Sequence, residues 1–371
     1  MSDGPHARGG NIMSTDSDTD LVVESTMLTD QCERILTGLG VPADQASIIA
    51  DTLVEADLRG THSHGAHLVA LYVQRIRSGA LDPVTTMTTT RDDGATVMLD
   101  AHLGFGQVAG VHAIDLAVER ARANGVGAVT VREATHLGAL AYYTRRAADA
   151  GFVAVLAQNG PAFVPPFGGL DGLFSTNPFS YAVPAGAEAA IVYDIATTAA
   201  AGNKILLAKK RGDPTIPEGW ATDESGTPTT DTEAASINHL SWFGGHKGYG
   251  IAFLVELLGG VLADSCFGRT ENTSSSLHGA ERIAKGCFFL ALDVTRFLPL
   301  DVFRSRVDTL VADAHSSRPA AGHERVYVPG EIEDLTRRHR AEHGIPIPAP
   351  LVAELDNFAD ELGFAPLTTH R

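Results

Sequence analysis

Three histidines, His62, His64 and His67, fall within six residues, with Ser63 and Gly65 flanking the middle one. An imidazole exchanges protons near neutral pH, so a histidine beside small residues is a natural general acid or base. The spacing would also suit a metal ion, which needs further ligands; His102, His112 and His136 are candidates, but none stands at a recognisable spacing. A single catalytic histidine with two neighbours is the better reading, and no metal is expected. His136 follows one expected strand and precedes an expected helix, a place where α/β sheets build sites and where buried structural histidines also occur.

Two glycine-rich stretches also bear on chemistry. Gly104-Phe105-Gly106-Gln107-Val108-Ala109 follows a strand and opens a helix, as a dinucleotide fingerprint does, yet tight helix–strand packing asks for the same small residues. In Trp242-Phe243-Gly244-Gly245-His246-Lys247-Gly248-Tyr249-Gly250, glycines let backbone approach a ligand and Lys247 can meet a phosphate. A lysine at a helix start opposes the helix dipole, which favours a ligand-binding role over a plain loop.

Periodicity supplies the elements that must hold these residues. Apolar spacing of three and four predicts a helix from Thr29, which would cap it, then a helix over 43–58 and an amphipathic segment from Leu68 through Ile76. The histidine cluster therefore sits at a helix start. Strands are predicted over 95–100, 128–132, 152–156 and 190–195, with helices over 108–124 and 140–150 between them, and this alternation argues for an α/β core. Proline and glycine make 159–184 and 213–231 read as loops. An apolar helix is predicted over 248–262, a polar excursion over 269–285, and helices broken by Pro346, Pro348 and Pro350 towards the end. Residues 1–24 read as a polar disordered tail with no signal-peptide h-region.

The chain has 371 residues with 28 basic and 45 acidic side chains, a net charge of −17 that repels nucleic acid and anionic membranes. The basic run Lys209-Lys210-Arg211 is too short to reverse that and reads as a solvated face. No apolar run is long enough to span a bilayer. Cys32, Cys266 and Cys287 are scattered, with no CxxC pair, so a reduced, cytoplasmic protein is expected.

Ordered motifs carry a family resemblance across nearly the whole chain beyond the tail. They are Arg59-Gly60-x-x-Ser63-His64-Gly65 with Tyr72, then His136-Leu137-Gly138 and Ser175-Thr176-Asn177-Pro178. They continue with Tyr193-Asp194-Ile195-Ala196-Thr197-Thr198, Gly226-x-Pro228-Thr229-Thr230-Asp231, Lys247-Gly248-Tyr249-Gly250 and Pro329-Gly330-Glu331. Together they resemble the malate/L-lactate dehydrogenase family of the second type. The resemblance implies a non-Rossmann NAD(P)-binding α/β domain over 91–329 and a helical domain built from 25–90 and 330–371. It also implies a homodimer, and Gly104 to Ala109 become packing.

By the same resemblance the enzyme moves a hydride between a nicotinamide (NAD or NADP) and a 2-oxo acid, a 2-hydroxy acid or a cyclic imine. His64 is then the proton donor and acceptor, with His136, Ser63, Tyr72 and Asp194 as the other catalytic candidates. The implied cofactor contacts are Asn159, Gly160, Thr176, Asn177, Asp194, Ile195, Ala196, Thr197, Thr198, His246, Lys247, Gly330, Glu331 and Ile332. The chain departs from the family at Leu68, where an arginine usually clamps the substrate carboxylate, a contact that an aliphatic chain does not replace. Gly160 stands where serine is common, and Ser175 replaces a glycine. An atypical substrate is therefore expected. The alternatives are a repurposed member doing non-redox acid/base chemistry or binding only, and metal-dependent hydrolysis by the histidine cluster.

Overall fold

The computed structural model describes residues 20–270 and 284–367. In chain order, strand β1 (Asp20–Val23) leads into helices α1 (Ser25–Gly38), α2 (Ala43–Leu58) and α3 (Leu68–Arg77). Next come β2 (Thr88–Asp93), β3 (Thr96–Asp100), α4 (Gly106–Asn124), β4 (Val126–Ala134), α5 (Ala141–Asp149) and β5 (Phe152–Gln158). After them come β6 (Phe179–Val183), β7 (Ile191–Ile195), α6 (Gly202–Arg211), and the short strands β8 (Ala221–Thr222) and β9 (Pro228–Thr229). Helix α7 (His246–Val255) runs into a π-helical segment, Glu256–Val261. The chain closes with β10 (Lys285–Asp293), α8 (Leu300–Ser316), α9 (Glu331–His343), β11 (Ile345–Pro348) and α10 (Ala349–Leu362).

The fold is mixed α/β around a seven-stranded sheet of order β2-β3-β4-β10-β5-β6-β7. Among the described pairings only β3 and β4 run parallel, joined by α4; β10 lies antiparallel to both β4 and β5. One apolar cluster fills the sheet and its helices, from Leu99, Ile114 and Val131 to Tyr143, Leu156 and Phe289. A second gathers Leu28, Ile35, Ile49, Leu53 and Val69 from the N-terminal helices with Ile345, Ile347, Val352 and Leu355 from the C-terminal segment. Each such side chain contributes about 1.5–3 kcal/mol when fully buried. The pairing of β1 with β11 ties the two ends of the helical layer together.

Several expectations need correction. The tail over 1–24 lies outside the described residues as far as residue 19, and Asp20–Val23 is a paired strand rather than disordered chain. Helix α1 starts at Ser25, and Thr29 sits inside it with its hydroxyl donating to the Ser25 carbonyl at 2.9 Å. The loop expected over 159–184 contains β6, and that over 213–231 contains β8 and β9. Strand β2 crosses the expected boundary at residues 90 and 91. Most of the polar excursion over 269–285, residues 271–283, lies outside the described residues.

Candidate active site

The chain leaves α2 at Leu58, turns at Gly60 with φ of 79°, passes through a 3-10 turn at His62–His64 and enters α3. A buried carboxylate holds this turn. Asp57 Oδ1 accepts from His62 Nδ1 at 2.8 Å, and Asp57 Oδ2 accepts from the Ala66 amide at 2.7 Å. Arg340, from α9, donates to His62 Nε2 at 2.8 Å and to the Asp57 carbonyl at 2.6 Å. Both His62 nitrogens are thus engaged, one with Asp57 and one with Arg340. A Cβ on Gly65 would lie 2.0 Å from Asp57 Oδ1, so this position must be glycine. His62 therefore secures the loop and His67 sits exposed at the start of α3. Of the three, His64 is the one whose ring stacks on that of His136.

His64 Nδ1 is paired with the Ser63 hydroxyl at 2.8 Å, and Nε2 has no partner among the described residues. The ring stacks on that of His136, with centroids 5.2 Å apart and planes 22° from parallel. Burial pushes His64 down to about 4, helped by the nearby His67 and Lys285, so the ring is neutral at pH 7. Burial also holds His136 well below the usual histidine range, and next in weight come Lys285 and His64.

Gln158, at the end of β5, secures the His136 turn by donating to the Thr135 carbonyl at 3.1 Å and accepting from the Leu137 amide at 3.4 Å. The start of α4 presses on the same turn: a Cβ on Gly106 would sit 2.5 Å from the His136 carbonyl. That close approach accounts for Gly106, while a Cβ on Gly104 would lie 2.6 Å from the Thr85 side chain. Tyr72, one turn beyond Leu68 on α3, is buried, and its hydroxyl accepts from Gln107. Burial raises it to about 12, so it keeps its proton. Leu68 is only 9% exposed and packs in the helical cluster with Tyr72 and Phe105.

The remaining candidates separate into inward-facing and outward-facing residues. Asp194 accepts from the Ala141 amide at 2.8 Å, capping α5 just after the His136 loop, and burial raises it to about 6. Asn159 and Asn177 are buried and donate to the Glu256 carboxylate at 3.3 and 2.7 Å; Asn159 Oδ1 also accepts from the Gly286 amide. The Thr197 hydroxyl donates to the Thr176 carbonyl at 2.7 Å and that of Thr198 to the Ala200 carbonyl at 2.9 Å. Glu331 accepts from His315 at 2.8 Å and from the Val328 amide at 3.0 Å, while Gly330, at φ of 83°, fits against Val192 where a Cβ would not. These side chains serve the protein. Thr176, Ile195, Ala196, Gly160 and Gly330 offer backbone or small surface, and His246, Lys247 and Ile332 are exposed.

A dinucleotide fits the donor set at the start of α7. There Gly244 and Gly245 take φ of 57° and 64°, leaving the backbone bare beside the exposed imidazole and ammonium of His246 and Lys247. Amides at a helix start together with a cation suit a phosphate. Among the described residues no group of three or more histidine, cysteine or acidic side chains is arranged to hold a metal ion.

Four residues near the histidines escaped the sequence reading. Gln158 and Glu256 carry no motif of their own, Gln107 is hidden inside the glycine-rich stretch, and Lys285 opens the unrecognised strand β10. Lys285 follows a polar segment and precedes an apolar run, which gave its position no local signal.

The malate/L-lactate dehydrogenase family model matches residues 23–356. A malate dehydrogenase of Pyrococcus abyssi is 35% identical over 340 residues, covering 89% of this chain and 92% of that protein. The solved structure of sulfolactate dehydrogenase from Methanocaldococcus jannaschii superposes with a TM-score of 0.87 at 32% identity, covering 94% of this chain and 99% of that one. That of Δ1-piperideine-2-carboxylate reductase from Pseudomonas syringae pvar. tomato gives 0.81 at 29% identity, covering 91% and 100%. On the match of the family model over most of its length and on these relatives, the chain belongs to the malate/L-lactate dehydrogenase family of NAD(P)-dependent dehydrogenases.

Proposed function

We propose that the protein transfers a hydride between NAD or NADP and the C–OH or C=O of a 2-hydroxy or 2-oxo acid, or the C=N of a cyclic imine, with His64 as the proton-transfer group. The observation that carries this reading is the neutral His64, anchored through Nδ1 by Ser63 and stacked on His136, with Nε2 left for a substrate atom. Relatives named malate dehydrogenase, sulfolactate dehydrogenase and piperideine-2-carboxylate reductase support both substrate chemistries.

In the oxidising direction Nε2 takes the hydroxyl proton as the hydride departs; in the reducing direction the protonated ring gives its proton to the carbonyl oxygen or imine nitrogen as hydride adds to the adjoining carbon, leaving the alcohol or amine. The Tyr72 hydroxyl, accepting from Gln107, has its own proton free to donate to the substrate oxygen. A bound nicotinamide supplies or accepts the hydride, and the protein orients it. We assign its contacts to Gly160, Thr176 and the 194–198 segment, to His246 and Lys247 for the phosphates, and to Gly330, Glu331 and Ile332. Asn159 and Asn177 would act by holding these loops in place. The single parallel strand pair supports a cofactor domain of non-Rossmann kind, and the two apolar clusters support the two-domain division.

The exposed apolar face of α7 and its π-helical continuation, with Phe253, Leu254, Leu257 and Val261, supports a homodimer. No described helix is long and apolar enough to cross a membrane. The buried thiols of Cys32 and Cys287 support a reduced, cytoplasmic setting.

Fluorescence titration with NADH and NADPH tests the reading, followed by a panel of 2-oxo acids, neutral ketones and cyclic imines. One reduced cofactor is expected to bind tightly. Pyruvate and oxaloacetate are expected to turn over poorly, because Leu68 offers no anchor. If neither cofactor binds, the redox function is lost to the non-redox alternative; ordinary efficiency on pyruvate or oxaloacetate would overturn the altered substrate alone.

A further inference from the structure

We infer that Arg75 and Lys285 together form the acid-binding subsite, so that the substrate is a carboxylate held on the Lys285 side of the histidine pair and not from position 68. This inference rests on the dehydrogenase reading and deepens it by fixing the substrate class as anionic.

Leu68 is committed to the apolar cluster that also holds Tyr72 and Phe105. Leu68, Tyr72 and Arg75 follow the i, i+4, i+7 spacing of one helix face, so α3 delivers a cation along the line that position 68 would otherwise serve. Arg75 is part-buried, and its Nε is buried with no hydrogen-bond partner. Lys285 comes from another element: it opens β10, paired with Ala134 at the end of β4, two residues before His136. Its ammonium lies 3.5 Å from the place a Cβ on Gly160 would occupy.

Among the described residues, neither Arg75 nor Lys285 has an ion pair or a side-chain hydrogen bond, although the chain carries 45 carboxylates. Both charges reach His136, Lys285 also reaches His64, and Lys285 is held down by burial and by Arg75. Two desolvated cations beside one histidine pair, with no carboxylate between them, oppose folding unless an anion completes the group. The orphaned acceptor Gln107 Oε1, on the residue that holds Tyr72, can take a hydrogen bond only from a donor on the ligand, such as the hydroxyl of a 2-hydroxy acid, and not from its carboxylate.

The remaining departures from the family pattern fit this arrangement. A side chain at 160 would strike Ser175 Oγ at 2.7 Å and stand against the Lys285 ammonium. Gly160 keeps that corner open, and the Ser175 hydroxyl lines it. A carboxylate between Arg75 and Lys285 places the adjacent carbonyl or imine carbon towards the histidines. The same carboxylate supports protonation of His64, offsetting the Lys285 charge that opposes it.

The test uses the full chain and oxalate as the probe anion, with binding followed by calorimetry with and without saturating NADH or NADPH. Wild type is expected to bind oxalate, and Lys285→Met and Arg75→Met to weaken it by about tenfold or more each, as loss of a charge-assisted contact does. Lys285→Arg and Arg75→Lys keep the charge and are expected to stay within about threefold of wild type, which separates charge from packing. Cofactor affinity is expected to be unchanged in all four. On the turnover panel acids are expected to exceed neutral ketones in wild type, and Lys285→Met to raise KM for the acid more than it lowers kcat. Oxalate affinity unchanged in both methionine variants, or absent in wild type, overturns the inference, as does turnover of neutral ketones equal to that of acids. Failure of both nicotinamide cofactors to bind would remove the dehydrogenase reading, while oxalate calorimetry without cofactor would still decide the subsite.

Discussion

His62 and His64 are separated by one serine, yet their hydrogen bonding differs. His62 is fully hydrogen-bonded between Asp57 and Arg340, and His64 keeps one nitrogen open. For His64 the sign of the pH effect follows from its lowered value. The ring loses its proton above about 4 instead of the ordinary 6.5, so the base needed for oxidation is present throughout the neutral range. We expect kcat/KM for oxidation of a hydroxy acid to hold as pH falls through 6.5 and to decline only as it approaches 4; a pH–rate profile with its acidic limb at 6.5 would contradict this. His64→Gln is expected to cost about 10²–10⁴-fold in kcat with cofactor affinity retained. Asp57 is 2% exposed and holds both His62 and the Ala66 amide, so Asp57→Ala is expected to destabilise the fold by about 3 kcal/mol. Denaturant unfolding measures this, and a change below about 0.5 kcal/mol, the scale of a neutral surface substitution, would count against the clamp.

At the scale of elements, β10 is the strand the sequence reading lost, and it lies at the centre of the sheet. Its mostly apolar run, Gly286 through Leu292, lacks the period-2 alternation of a half-exposed strand because α4 and the π-helical segment cover it. The π-helical segment has its own cause. Gly259 and Gly286 meet so closely that a Cβ on Gly286 would lie 1.7 Å from the Gly259 carbonyl. The widened turn also lets the Glu256 carboxylate reach Asn159, Asn177 and the Gly268 amide. Gly286→Ala must part β10 from that segment. We expect a loss of about 1–3 kcal/mol or more in thermal or denaturant unfolding, together with weaker cofactor binding through the displaced Asn159 loop. An unchanged melting temperature would refute the close-packing account. Helices α2, α4 and α5 were legible in the sequence because their apolar residues recur at regular spacing and glycine or proline ends them, as Gly125 does α4 at φ of 88°.

At the scale of the molecule, the first and last segments close on one another through β1 and β11, so the helical layer depends on both ends of the chain. The turn carrying His64 inherits that dependence, because Arg340 and Arg337 reach back from α9 to Asp57 and Glu55. The α7 surface leaves Leu254 48% and Leu257 44% exposed on one helix face. We expect wild type to sediment as a dimer at micromolar concentration and the pair Leu254→Asp, Leu257→Asp to shift it towards monomer. A monomeric wild type would remove the dimer from the proposal.

The sequence by itself determined the reaction class. The ordered motifs carry the family, and His64 and Leu68 carry our proposals for the proton transfer and the altered anchor, because residue type and short spacing survive any arrangement of the chain. Only the tertiary structure decided which residues meet. His136 reaches His64 because Gln158 and Gly106 fix its turn, and Lys285 joins them because β10 inserts between β4 and β5. Contacts between distant segments arise from the packing of whole elements, and no local periodicity records them.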